Sequence, residues 1–251
     1  MRVSNEILSV LDIAEKDGNA LRLVGQLDRT LYTKVNKVLE VAGGKWSRKS
    51  QAHIFDGDAA DAMELIILTG EITAPQDFGF FPTPETVVSR LIMLANITEG
   101  MQVLEPSAGN GAICDGLSKA GAEITAVEIL EENFSELLGK RLCHIHLHGD
   151  FLDPDLNASL GIYDRIVMNP PFAKQADIKH VLHALRFLKP DGLLVSVMAA
   201  SVVFRDNKLT ADFRDLVRDR GGEIEALPED SFKSSGTRVN TVIVTIPAPK
   251  E

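Results

Sequence analysis

From about Val87 onward, short apolar runs of strand character alternate with segments of helical character. This alternation leaves few folds open, because strands separated by helices pair in parallel and need helices on both faces of the sheet. The strand-like runs are MQVLE (101–105), AEITAVEI (122–129), CHIHLHGD (143–150), YDRIVM (163–168), GLLVSVMAA (192–200), EIEAL (223–227) and NTVIVTI (240–246). Between them NGAICDGLSKAG, LEENFSELLGKR, QADIKHVLHALRFL (stopped before Pro190) and a charged segment near 210–220 read as helices. The expectation is an α/β fold with a doubly wound, mostly parallel sheet of seven strands.

FPTPETVVSRLIMLANI, before the first strand, reads as a helix leading into this sheet. Thr83 suits the N-cap, Pro84 the first helical position and Glu85 the positive end of the dipole. Residues before Ile72 differ in character: VNKVLEVAGGKWSRKSQAHIFD reads as an amphipathic helix, a Gly-Gly break and a β-hairpin. Residues 1–72 are therefore expected to form a small α+β module, and residues 73–251 the sheet domain.

The apolar fraction of 45% supports a substantial core in a chain of 251 residues. No run of eighteen apolar residues occurs, and the N-terminus is too polar for a signal peptide, so a soluble cytoplasmic protein without a membrane partner is expected. The two cysteines, Cys114 and Cys143, lie in no CxxC or zinc-ligand pattern and read as reduced and packed. A formal charge of −10 excludes non-specific coating of nucleic acid through bulk charge. It does not exclude a local basic face: Lys34, Lys37, Lys45, Arg48 and Lys49 stand against one acid, Glu40, between residues 34 and 53.

Chemistry concentrates at strand ends. LEPSAGNGAI sets Glu105 and a loop of Pro106, Ser107, Ala108, Gly109, Asn110 and Gly111 between a strand and a helix start. Such a loop lets a ligand approach the backbone, with helix N–H groups facing it. It is not the GxGxxG fingerprint, since Cys114 stands at the third glycine, and no Gly-Lys-Ser/Thr makes it a P-loop. The acid at its start favours a cationic ligand over pyrophosphate. Glu128 ends the next strand, Asp150 the third and Asn169 the fourth. Ligands of open parallel sheets bind beyond the carboxyl ends of the strands, so these four residues should line one crevice. After Asn169, Pro170 and Pro171 remove two backbone donors and stop the ladder, and Phe172 completes a stiff turn.

At these residues the chain resembles the S-adenosylmethionine-dependent methyltransferases that act on exocyclic amines, especially the adenine-N6 DNA enzymes, over about residues 80–246. By that resemblance FPTP, with Phe81 and Thr83, is the cofactor segment before the sheet, Thr83 lying near the methionine carboxylate. The glycine loop 105–111 surrounds the methionine moiety, and Glu128 with Ile129 holds the ribose. Asp150 takes the cofactor's adenine amine and Phe151 its ring. NPPF matches the catalytic tetrapeptide, and FKSSGTRVNTVIVTI resembles the late segment whose aromatic residue, here Phe232, stacks on a flipped base. The chemistry can be stated independently. A purine's exocyclic amine is a poor nucleophile, so the Asn169 amide oxygen and the Pro170 carbonyl would accept its two hydrogens while Phe172 stacks on the ring. The base must leave the duplex to reach the pocket.

Plainer readings stand beside these. His144, His146 and His148 alternate on one face of a strand, as the exposed face of an edge strand or as metal ligands; the first is favoured and no metal is expected. His180 and His183 fall on a helix and are expected at its surface. Lys174, Lys45, Arg48 and Lys49 are candidate nucleic-acid contacts, and Trp46 among them would stack on a base, or form the core of a hairpin, or both. The helix around Arg214 and Arg218 interleaves acids as a solvated face. No long insertion offers a target-recognition domain. Recognition would then rest on the N-terminal module, on loops such as 200–210 and 231–238, or on a homodimer or partner subunit. DNA is the expected acceptor. RNA adenine, a protein glutamine (where the resembled enzymes carry tyrosine in place of Phe172), and a non-catalytic cofactor-binding regulator are the rivals.

Overall fold

The structure is a computed structural model, which describes residues 2–71, 81–235 and 239–249. It divides into two compact units: residues 1–77 with 200–212, and residues 78–199 with 213–251. The boundary expected between residues 72 and 73 lies outside the described residues.

The first unit runs α1 (Asn5–Ile13), β1 (Glu15–Asp17), β2 (Ala20–Arg22), α2 (Arg29–Val41), β3 (Lys45–Ser47), β4 (Ala52–Ile54) and α3 (Ala59–Thr69). Its strands form an antiparallel sheet in the order β1-β2-β4-β3. Asp28 starts α2 by accepting the Thr30 and Leu31 N–H groups, and Val35, Val38 and Leu39 give the helix its buried stripe. The Gly-Gly break has a steric cause: a Cβ at Gly44 would stand 2.7 Å from the Phe55 ring and 3.0 Å from the Leu39 carbonyl. The amphipathic helix and hairpin anticipated from sequence are both present.

The second unit continues with α4 (Glu85–Ala95), β5 (Gln102–Glu105), α5 (Ala112–Lys119), β6 (Glu123–Glu128), α6 (Glu131–Lys140), β7 (Ile145–His148), α7 (Pro154–Asn157), β8 (Tyr163–Met168), α8 (Ala176–Ala184) and β9 (Leu188–Ala199). The chain then forms α9 (Ser201–Phe204) in the first unit, α10 (Lys208–Asp219), β10 (Glu223–Ala226) and β11 (Thr241–Pro247). Its seven strands lie in the order β10-β11-β9-β8-β5-β6-β7. β9, β8, β5, β6 and β7 pair in parallel, while β11 and β10 close the sheet antiparallel. β5 and β6 are buried after their first residues, whereas β7, at the edge, is nowhere fully buried. That explains both the continuous apolar runs of the inner strands and the alternation of histidines at the edge.

Four expectations need correction. Thr83 does not cap α4: the N-cap is Pro84, whose carbonyl accepts from Val87 and Val88, and the Thr83 hydroxyl is engaged elsewhere. The stretch 200–210 is not a free loop. It holds α9 and the start of α10, and Arg205, only 2% exposed, pairs there with Asp12 at 2.9 Å and Glu64 at 2.6 Å. His180 is not a surface residue: Asp177, Ile178, His180, Val181 and Ala184 form the buried face of α8. That helix also ends at Ala184, earlier than its composition suggested, in a 3-10 turn that feeds directly into β9.

Candidate active site

The sheet reverses direction at β5, whose neighbours β6 and β8 lead to opposite edges, and the crevice at such a switch point is where open α/β sheets bind ligands. A cavity of about 390 Å³ lies there, lined by Phe81, Pro106, Ser107, Glu128, Ile129, Leu130, Gly149, Asp150, Phe151, Leu152, Asn169, Pro170, Pro171, Phe172 and His180. Most sequence candidates in the second unit therefore meet at one place, brought together by the ends of β5, β6, β7 and β8.

The loop after β5 is tied down by its own backbone. Ala108 N–H donates to the Val127 carbonyl at 2.9 Å, and Gly109 N–H to Glu128 Oε2 at 2.6 Å. Gly111 opens α5 at φ +87°, and a Cβ there would stand 2.7 Å from the end of the Leu137 side chain, so a larger residue would be strained in its backbone and would have to displace Leu137. Glu128 also accepts from Leu130 N–H at 2.8 Å through Oε1. Each carboxylate oxygen of Glu128 thus has one fixed backbone donor and a remaining lone pair for a ligand hydroxyl.

Glu105 sits differently from its expected place. It is fully buried and does not line the cavity; Oε1 accepts from Ser107 N–H at 3.0 Å, and Oε2 has no hydrogen-bond partner among the described residues. Burial holds its carboxyl well above the usual carboxylate range, and the charge of Glu128 pushes the same way. Thr83, Ala108, Gly109, Asn110 and Gly111 also stand behind the lining; Lys140 Nζ donates to the Asn110 carbonyl.

Asp150 is exposed, and its Oδ1 accepts from Leu152 N–H at 2.9 Å. Phe151 is 2% exposed and packs edge-on against His183, with His180 and Phe187 beside it. His180 was missed from sequence although helical periodicity from Ile178 and Val181 would place it on the inner face. Its Nδ1 donates to the Ala176 carbonyl at 2.8 Å, so the neutral ring has Nε2 as its acceptor; burial keeps the imidazole below its ordinary value.

The turn after β8 carries the sharpest geometry. Asn169 Nδ2 donates to the Thr83 hydroxyl at 3.0 Å, which fixes the amide plane, and Asn169 Oδ1 is buried without a partner among the described residues. An unsatisfied buried carbonyl beside a cavity is the kind of group that takes a ligand hydrogen. Pro170 and Phe172 are buried and Pro171 exposed, all three in the cavity wall. Lys174 is exposed at φ +54° and is not in the lining. Phe232 is 1% exposed and is not in the cavity lining; three residues on, the Ser235 hydroxyl donates to the Pro82 carbonyl at 2.6 Å, tying the late segment to FPTP. Residues 236–238 of that segment lie outside the described residues.

Two of the edge-strand histidines, His144 and His148, have ordinary partners, and the buried Nε2 of His146 has none among the described residues. Ile124 N–H donates to His144 Nδ1, and His148 stacks on Phe134 and donates to the Ile129 carbonyl. Among the described residues no group of three or more His, Cys, Asp or Glu side chains is arranged for a metal ion, and no helix is long and apolar enough to cross a membrane. Lys45, Trp46, Arg48 and Lys49 lie in the first unit, on the β3–β4 hairpin.

The methyltransferase small domain family matches residues 79–218, and the chain belongs to it. A protein described as a class I S-adenosylmethionine-dependent methyltransferase, from Listeria monocytogenes, superposes with TM-score 0.56 at 16% identity over 88% of this chain and 73% of its own. The modification subunit described for a type I restriction enzyme of Vibrio vulnificus gives 0.57 at 17%, over 90% of this chain and 54% of its own. A protein described as an RNA methyltransferase of Pyrococcus horikoshii gives 0.52 at 21%, over 74% and 98%. No curated protein sequence matches. Family and fold together define a class I S-adenosylmethionine-dependent methyltransferase. The cavity fits that cofactor: carboxylates with free lone pairs, an apolar ring wall and an unpartnered amide oxygen are gathered at the strand ends.

Proposed function

We propose that the protein methylates the exocyclic N6 amine of adenine in DNA, with the base flipped out of the duplex into the cavity beside Asn169, Pro170, Pro171 and Phe172. The observation that carries this reading is the Asn169 amide, anchored through Nδ2 on Thr83 with Oδ1 buried and without a partner among the described residues, in the same cavity wall as Phe172. Bound S-adenosylmethionine supplies an electrophilic methyl group. Glu128 holds the ribose hydroxyls, Asp150 the cofactor's adenine amine and Phe151 its ring, with residues 105–111 shaping the approach. Asn169 Oδ1 and the Pro170 carbonyl accept the two hydrogens of the target amine, which localises its lone pair on nitrogen. Phe172 stacks on the target ring and sets its plane for in-line attack. As the new C–N bond forms and the cofactor's S–CH3 bond breaks, leaving a neutral thioether, the surplus proton on nitrogen, no longer held by Asn169 Oδ1 or the Pro170 carbonyl, passes to water.

The hairpin cations Lys45, Arg48 and Lys49 contact phosphates, with Trp46 among them. Two free cysteines suit the reducing cytoplasm. The modification subunit and the RNA methyltransferase among the structural neighbours have identities of 17% and 21%, which leave the choice of substrate to the residues. Transfer of labelled methyl to unmethylated DNA, matched RNA and a protein extract tests the reading. Label in DNA, lost with Asn169→Ala while cofactor binding persists, supports it; label only in RNA or protein overturns the substrate. Cofactor binding without transfer anywhere overturns the enzyme.

A further inference from the structure

A second cavity, of about 180 Å³, lies within the first unit and takes no part in the chemistry above. It is lined by Leu23, Gly25, Leu27, Tyr32, Trp46 and Gln51. Two of these are large aromatic side chains that the fold leaves in solvent: Tyr32 on α2 is 43% exposed and Trp46 on β3 is 47% exposed. Burial would stabilise both, so their exposure around a concave site marks a surface made to receive something flat and apolar.

The site is built. Trp46 lies across from His53 in the β3–β4 register, and the two rings meet nearly edge-on at 5.1 Å. His53 is in turn fixed: Asn36 Nδ2 donates to Glu40, so Asn36 Oδ1 must accept from His53 Nε2, at 2.8 Å. Gln51, at φ +49°, closes the hairpin turn by donating to the Arg48 carbonyl at 2.8 Å. Indole and turn are thus both held before any ligand arrives.

Charge indicates what the ligand is. In a chain of net charge −10, Lys45, Arg48 and Lys49 all lie on this one hairpin, exposed, with no ion pair among the described residues. Asp28, the acid nearest to Tyr32 in sequence, is engaged in capping α2. Aromatic faces around a ring-sized cleft, with unpaired cations on the same hairpin, form the combination by which single-stranded nucleic acid is held: base on ring, phosphate on cation.

We infer that the Tyr32–Trp46 cleft is a second nucleic-acid site, which stacks one unpaired base of a DNA strand while Lys45, Arg48 and Lys49 hold the flanking phosphates. The inference rests on the proposed nucleic-acid substrate only for the class of partner, and its test does not depend on methyl transfer. Trp46 is the sole tryptophan of the chain, so intrinsic fluorescence reports this cleft directly. The full-length protein is titrated with oligo-dT, which has no adenine for the active site, with an abasic strand of the same length, and with oligo-U.

Saturable quenching by oligo-dT is expected, with the abasic strand binding more weakly and quenching little. Tyr32→Ala should weaken oligo-dT binding roughly 10-fold. The triple variant K45Q/R48Q/K49Q should lower affinity and flatten its salt dependence. Equal quenching by the abasic strand, or oligo-dT affinity unchanged in both variants, overturns the inference. Tighter binding of oligo-U than of oligo-dT overturns the assignment to DNA. Absence of quenching in a preparation that methylates DNA sinks this site alone, and quenching without methylation sinks the proposed reaction alone.

Discussion

At the scale of single residues, Asn169 and Thr83 act as a pair. Asn169→Ala should reduce methyl transfer by about 100-fold or more with little change in cofactor affinity, measured separately by calorimetry. Thr83→Val removes the acceptor that orients the Asn169 amide. It should lower kcat more than it raises KM for the nucleic acid, and Thr83→Ser, which keeps the hydroxyl, should restore most of the rate. Equal rates for Val and Ser would show that the hydroxyl does not position the amide. Glu105 contributes a pH dependence of its own. Because burial raises its folded pKa, its contribution to stability is full below the ordinary carboxylate value and is lost as pH climbs through the raised one. Thermal unfolding of Glu105→Gln against the parent should therefore show little difference in acid and a growing advantage for Gln as pH rises. Asn169 and Glu105 were legible as strand-end polar groups, and Thr83 only as a helix N-cap. Their individual tasks were not, because whether Glu105 faces the cavity or the protein interior depends on packing that has no local signal.

At the scale of elements, the inner strands could be read directly, since a parallel strand buried on both faces must be an apolar run, and the strand ends then locate the crevice. The edge position of β7 was legible from its polar alternation for the same reason. Helix boundaries were less so. Thr83, Pro84 and Glu85 carry a standard start signal, yet the tertiary hydrogen bond from Asn169 removes the Thr83 hydroxyl from the cap. On α8 the histidines look solvent-facing by composition, but the buried stripe that contains Ile178 and Val181 also contains Asp177 and His180. Asp177 Oδ2 accepts from Ala199 N–H at 3.0 Å, joining α8 to the end of β9. Asp177→Ala leaves that buried donor unsatisfied and should cost about 1–3 kcal/mol in chemical denaturation. An unchanged midpoint would mean that water reaches the Ala199 N–H.

At the scale of the whole molecule, the chain leaves the N-terminal unit, builds five parallel strands, and returns to the first unit for residues 200–212 before completing the sheet. No periodicity announces this return, because what holds it is tertiary: a buried guanidinium placed between Asp12 and Glu64, the Ser9 hydroxyl on the Phe204 carbonyl, and Phe204 packed on the first unit's core. Removing one member of a buried ionic cluster leaves uncompensated charge, so Arg205→Ala should destabilise the first unit by about 3–5 kcal/mol. Calorimetry should show the transition of that unit moving down while cofactor still raises the other; loss of cofactor binding together with the shift would contradict a role confined to the first unit. The aromatic cleft was likewise half legible: Trp46 and its cations stand out in sequence, whereas Tyr32 and Gln51 join them only through the fold. The most direct measurement on the reaction itself is nucleoside analysis of DNA incubated with the protein and S-adenosylmethionine. N6-methyldeoxyadenosine as the sole new nucleoside, absent with Asn169→Ala, is the expected result; methyl on cytosine, or none in DNA under conditions where cofactor binds, would contradict it.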